Sequence, residues 1–186
     1  MNTTHKNISL TRRQLLHKIL LTVPVLCFSP ASLLAKQVPV RRLSFSHTHT
    51  CEQLSIVYAR DGKYLPEALS SINHCLRDFR SNEKHAIDPA LLDILYDLQK
   101  ATGNEDGVFE VISGFRSPDT NKMLRSKSHG VAKRSLHMEG KAIDLRLSGT
   151  STKKLRDLAI SRKRGGTGYY AKSDFVHLDT GRIRQW

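Results

Sequence analysis

Apolar and polar residues alternate through Leu43, Phe45 and His47, and again through Leu54, Ile56 and Tyr58, on either side of a polar break at Thr50-Cys51. Period-two alternation flanking a short break predicts an antiparallel hairpin. Pro39 to Arg42, ahead of it, reads as an extended linker. The spacing then shifts to threes and fours: Leu69, Ile72, Leu76 and Phe79 follow Pro66, and Leu91, Leu92, Leu95 and Leu98 follow Asp88-Pro89. Both runs predict amphipathic helices that open on proline, the second capped by Asp88 and closed by Gly103. Val108 to Ser113 is apolar enough for a short strand and leads directly into Gly114-Phe115-Arg116-Ser117. Ser117-Pro118 starts a short helix, and the polar residues that follow, as far as Lys133, form a long loop. A strand follows through Ala142, Ile143, Leu145 and Leu147, then a helix capped by Ser151 and ending near Gly165-Gly166. Strands from Thr167 to Tyr170 and from Phe175 to Leu178 complete the pattern. Helices before and between mostly antiparallel strands indicate a single α+β domain, a sheet with flanking helices.

The first 36 residues follow a different pattern. They hold Lys6, Arg12, Arg13, Lys18 and Lys36, no acidic residue, and an apolar run from Ile19 to Ala35. A basic start, an apolar middle and Leu33-Leu34-Ala35 at the end predict a signal peptide over residues 1–36, with the functional domain over residues 37–186. Thr11-Arg12-Arg13-Gln14-Leu15-Leu16 resembles a twin-arginine export signal, so the expected location is the periplasm. A retained anchor helix is the alternative, but Pro24 and Pro30 oppose a stable span.

The whole chain carries 30 basic and 17 acidic residues, a net charge of +13. Five of the basic residues lie in the first 36, so residues 37–186 hold 25 against 17, a net of +8. Outside the cytoplasm such a charge suits anionic cell-wall polymer or lipid head groups. No basic-aromatic stripe or nucleic-acid motif accompanies it, so nucleic acid is not the expected partner. Cys51 and Cys75 could form a disulfide in an oxidising compartment or remain free thiols, and neither has metal-type spacing.

Chemistry concentrates in Ser135-Leu-His-Met-Glu-Gly-Lys-Ala-Ile-Asp144 and in Phe175-Val-His-Leu-Asp179. His137, Asp144 and His177 offer two imidazoles and a carboxylate, a set that leaves zinc one open position. His47 and His49 form an HxH pair at the hairpin tip, which a solvated strand end explains equally well. Arg116, delivered at the end of a strand, is placed to face a pocket, with a plain surface arginine as the alternative.

The pattern Ser135-x-His137-x-x-Gly140-x-Ala142-x-Asp144, followed by Val176-His177, resembles the zinc peptidases of the M15 group. These are peptidoglycan D-Ala-D-Ala carboxypeptidases and L,D- or D,D-endopeptidases that share a fold with the hedgehog signalling domain. Gly114-Phe115-Arg116-Ser117, Gly165-Gly166-Thr167-Gly168-Tyr169-Tyr170 and Phe175-Val176-His177-Leu178-Asp179-Thr180-Gly181 look most like the exported murein endopeptidase branch. The resemblance implies that His137, Asp144 and His177 bind zinc, that Arg116 faces the carbonyl oxygen, and that peptidoglycan peptide stems are the substrate. It implies a general base at Asp174, three residues before the last histidine, with Asp179 as the rival; the alternative role for Asp179 is to hold the His177 ring. A terminal carboxypeptidase and a non-catalytic cell-wall binding module on the same fold are the competing functions.

Overall fold

A computed structural model describes residues 39–128 and 130–186. The expected signal segment, residues 1–36, lies outside the described residues. The predicted hairpin is present: β1 (Val40–His47) pairs antiparallel with β2 (Gln53–Arg60), with Leu43 opposite Ile56 and Phe45 opposite Leu54. Val40 to Arg42, read as linker, belong to β1, because Arg60 and Ala59 extend β2 far enough to pair with Val40 and Arg41. A two-residue β3 (Lys63–Tyr64) adds to the outer edge.

Two helices follow, α1 (Pro66–Cys75) and α2 (Pro89–Thr102). The α2 ends follow the sequence signals: the Asp88 side chain accepts from the Ala90 N–H, and Gly103 stops the helix with φ 72°. Phe79 falls outside α1, which stops at Cys75 as the chain turns toward Asp78. Because two helices intervene, β4 (Phe109–Ser113) returns parallel to β1. The remaining elements are α3 (Pro118–Lys127), a 3-10 turn over Leu136–Glu139, β5 (Ala142–Leu147), α4 (Thr152–Arg162), β6 (Gly166–Tyr170), a 3-10 turn over Ala171–Ser173, β7 (Phe175–Asp179) and β8 (Arg184–Gln185).

All eight strands form one sheet in the order β3-β2-β1-β4-β5-β7-β6-β8, antiparallel except for β1–β4 and β6–β8. This is the expected α+β architecture, with four helices among the described residues. On one face Phe45, Phe109, Val111, Ile143, Leu145, Val176 and Leu178 meet α2 and α4 through Leu91, Leu95, Leu98, Leu155 and Ala159. Strand alternation turns the intervening residues of β5 and β7, Asp144 and His177, to the opposite face. Cys51 is exposed, Cys75 is buried, and both are free thiols.

Candidate metal centre

The three sequence candidates meet on that second face. β5 and β7 place Asp144 directly opposite His177 in the ladder, and Ser113 of β4 lies opposite Asp144. His137 arrives from the 3-10 turn, which Gly140 ends with φ 64°. A side chain at Gly140 would lie 2.1 Å from the Ala86 carbonyl oxygen, so glycine is required there. Arg116 is tied to the same turn: its N–H donates to the His137 carbonyl at 3.2 Å. Asp78 supports this loop by accepting from the Ser117 N–H at 2.9 Å.

The histidine rings are oriented by what holds their far nitrogens. His137 Nδ1 lies 2.7 Å from the Gly114 carbonyl, which can only accept, so Nδ1 carries the proton and Nε2 faces the site with a lone pair. His177 Nε2 lies 3.1 Å from the Asp179 carboxylate, which likewise leaves Nδ1 toward the site. The two inward nitrogens are 3.2 Å apart, and the Asp144 oxygens lie 2.8 Å from His177 Nδ1 and 3.3 Å from His137 Nε2. In the absence of a metal ion, a proton on His177 Nδ1 bridges to Asp144 at this distance; in its place a cation could be shared by all three groups. Tetrahedral zinc at 2.0–2.1 Å from its ligands separates them by about 3.4 Å, close to these distances. The donor set therefore fits zinc. Among the described residues, this is the one group of three or more His, Cys, Asp or Glu side chains close enough to share a metal ion.

The charges follow the same contacts. Burial holds the His137 ring below its ordinary pKa. Burial also opposes the charge on His177, but hydrogen bonds to Asp144 and Asp179 outweigh it and raise that ring. Asp144 is pushed upward by burial and downward, more strongly, by the two histidines, and ends well below the carboxylate range. Arg116 adds an ion pair to Asp144 through Nη2 and donates from Nε to Ser113 Oγ at 2.8 Å, and its Nη1 has no hydrogen-bond partner among the described residues.

A cavity of about 510 Å³ opens on the set, walled by Arg116, Arg134, Tyr170, Phe175, Arg184 and Trp186 among others. A larger groove, about 700 Å³, lies between β2 and α1 and contains His74 and His85 but no such donor set. The chemistry, rather than the volume, identifies the site. His47 and His49 pack on Phe79 at the hairpin end and take no part in it.

Asp174 is not brought to the set. It sits in the left-handed region at the end of the second 3-10 turn, and its carboxylate accepts from Thr152 at 2.6 Å, at the start of α4. The residue stands one step before β7, off the alternation that turns Phe175 and His177 toward the cavity. Asp179 is close but fully engaged: besides His177 it accepts from the N–H groups of Gly166 and Gly181 and from both terminal nitrogens of Arg184. It holds the His177 ring, the alternative role considered for it.

Arg184 and Trp186 escaped the sequence reading. Arg184 secures Asp179, and the Trp186 ring lies 5.3 Å from that of His177. The signal for them was Gly166-x-Gly168 inside a strand, a pattern that marks close approach by another group. Side chains there would collide with Arg184 and with the Trp186 indole, at 2.4 and 2.7 Å.

Comparison with known proteins agrees with the class that this sheet and donor set suggest. Residues 35–186 match the M15-type peptidase family described as peptidoglycan L,D-endopeptidase MepK, and the chain belongs to that family of murein endopeptidases. It is 43% identical over 146 residues to the peptidoglycan L,D-endopeptidase MepK of Escherichia coli K12, covering 78% of this chain and 80% of that protein. It is 41% identical to the probable peptidoglycan L,D-endopeptidase MepK of Haemophilus influenzae, covering 78% of each.

Proposed function

We propose that this protein is a zinc-dependent peptidoglycan hydrolase that cuts peptide cross-links at an L,D bond. The observation supporting the reading is the pair of imidazoles whose outer nitrogens are both engaged and whose inner nitrogens converge with Asp144 at an open cavity. His137, Asp144 and His177 are the proposed ligands. Zinc bound there would activate water and polarise the scissile carbonyl. Arg116, through its uncommitted Nη1, supplies a fixed positive charge where the carbonyl oxygen gains negative charge. Asp179 keeps the His177 tautomer in place. The proton acceptor expected at Asp174 requires its carboxylate to rotate away from Thr152; an Asp174→Asn variant with unchanged kcat/KM would remove it from the reaction.

The endopeptidase reading follows the names of the relatives and is preferred to terminal carboxypeptidase activity. On the same reading, the fold would be shared with the hedgehog and D-Ala-D-Ala peptidase domains. Export by a twin-arginine route to the periplasm would bring the enzyme to its substrate, and cell fractionation tests that step. The activity test is digestion of defined cross-linked muropeptides followed by mass spectrometry, alongside metal analysis of the purified protein. Wild type should release products and carry one zinc, and His137→Ala should do neither. Cleavage by a folded His137→Ala protein that still binds stoichiometric zinc would end the proposal, and binding to sacculi without released peptide would favour a non-catalytic module.

A further inference from the structure

Three guanidinium groups wall the cavity over the donor set, those of Arg116, Arg134 and Arg184. Two already have carboxylate partners within the protein: Arg116 pairs with Asp144, and Arg184 with Asp179. Arg134 is exposed and makes no salt bridge or side-chain hydrogen bond among the described residues. Among the described residues that line the cavity, Asp144 has the only acidic side chain, and the histidines and Arg116 already engage it. Arg134 is therefore a positive charge in the wall of the site with no counter-charge among the described residues.

Arg134 immediately precedes Ser135, the residue from which the 3-10 turn carrying His137 begins, so the backbone that places the histidine also places the arginine. Two further contacts brace that turn, Arg116 N–H to the His137 carbonyl and Lys141 N–H to the Leu136 carbonyl. The approach to it is basic as well: Lys122, Arg125, Lys127, Lys133 and Arg134 occur between Asp119 and Glu139 with no acidic residue among them.

The substrate chemistry supplies a partner for such a group. An L,D amide joins an acyl group at an L centre to an amine at a D centre. In a cross-link made through the side-chain amine of a diamino acid, the D centre keeps a free carboxylate on the carbon bonded to the amide nitrogen. A carboxylate so close to the scissile bond must lie inside the cavity when the carbonyl is at the donor set. Arginine recognises such a group bidentately through its planar guanidinium.

We propose that Arg134 is a specificity-determining residue that binds the free carboxylate of the leaving-side D centre. The inference rests on the hydrolase reading for its substrate class, and its test has a readout that does not require turnover. Trp186 is the one tryptophan of the chain and lines the same cavity, so its fluorescence reports occupancy of the site. The ligands are two diamino-acid peptides that differ only in having this carboxylate free or amidated, and the substrates are the matching cross-linked dimers. Wild type should favour the free carboxylate on the order of 10- to 100-fold in both Kd and kcat/KM, the range of a charge-assisted contact. Arg134→Ala should lose that factor on the free form and show no preference, while Arg134→Lys should keep part of it. Arg125→Ala, an equal change of charge at an exposed position outside the cavity, should leave the preference intact. A preference that persists in Arg134→Ala, or that Arg125→Ala removes equally, overturns the assignment. Cleavage of both dimers without any preference also overturns it and leaves the hydrolase reading standing. The fluorescence preference without cleavage of either dimer does the reverse.

Discussion

Asp93 and Asp144 are both largely removed from water, both pair with an arginine, and both are held below the ordinary carboxylate range. Asp93, on α2, receives Arg41 from β1 at 2.6 Å, Tyr58 from β2 at 2.8 Å and Tyr64 from β3 at 2.7 Å. Every group facing it donates, so the cluster is complete in itself and ties a helix to three strands. Asp144 receives one arginine and faces two imidazoles whose inner nitrogens converge on the same point. That arrangement can exchange its bridging proton for a shared cation. A depressed carboxyl thus marks both sites, and the neighbours tell them apart: hydroxyls and a guanidinium at Asp93, imidazoles able to ligate a metal at Asp144.

Exchanging the losses between the two clusters is the strongest test of this contrast. Asp144→Ala should abolish stoichiometric zinc and lower kcat/KM by at least about 10³-fold, since even partners behind a metal ligand are worth 10–100-fold. Metal analysis and muropeptide digestion check it, and retained zinc would place the two carboxylates in one class. Asp93→Ala should do the opposite, keeping zinc while losing about 2–4 kcal/mol of stability, because a buried Tyr58 hydroxyl and Arg41 lose their acceptor. Urea denaturation measures that loss. Asp179→Asn should weaken zinc binding by about 10- to 100-fold with little change in the melting temperature of the metal-free protein; a chelator titration separates the two effects.

The smallest expected effect is in the acid limb of stability. Burial pushes the Asp93 carboxyl up, but hydrogen bonds from Tyr64, Arg41 and Tyr58 outweigh it and bring its folded pKa below the unfolded value. Its contribution is therefore fully present above the ordinary carboxylate pKa of about 3.9 and disappears as pH falls through the depressed folded value. Asp93→Asn should flatten the stability curve in that window and leave the curve above pH 5 parallel to wild type. An unchanged acid limb would mean that Asp93 is not stabilised by its donors.

The same contrast explains what could be read from the sequence. The hairpin and the Asp88–Gly103 helix follow from local rules, because period-two alternation, an N-cap and a left-handed glycine act within a few residues. His137, Asp144 and His177 were visible as residue types at suggestive spacings, and alternation in β5 and β7 does turn the last two to one face. Asp174 looked equally suitable by position, yet the left-handed turn at its own backbone sends its carboxylate to Thr152. The Asp93 cluster was not legible at all, since Arg41, Tyr58 and Tyr64 reach it across 52, 35 and 29 residues. Arg184 and Trp186 were hidden for a similar reason: a two-residue strand has no period, and only the glycines opposite betray it.

The sheet order that brings His137 and His177 into contact also delays that contact during folding. The two are 40 residues apart, Asp144 and His177 are 33 apart, and Arg116 and Asp144 are 28 apart. Each pair closes a long loop, and the Asp144–His177 pair exists only once β5 and β7 have docked. No early hairpin or isolated helix can collect the set, so a metal ion has little to bind in the unfolded chain and much to bind in the finished sheet. Zinc would then act as a latch on the native state, lengthening its lifetime against unfolding without guiding the chain toward it.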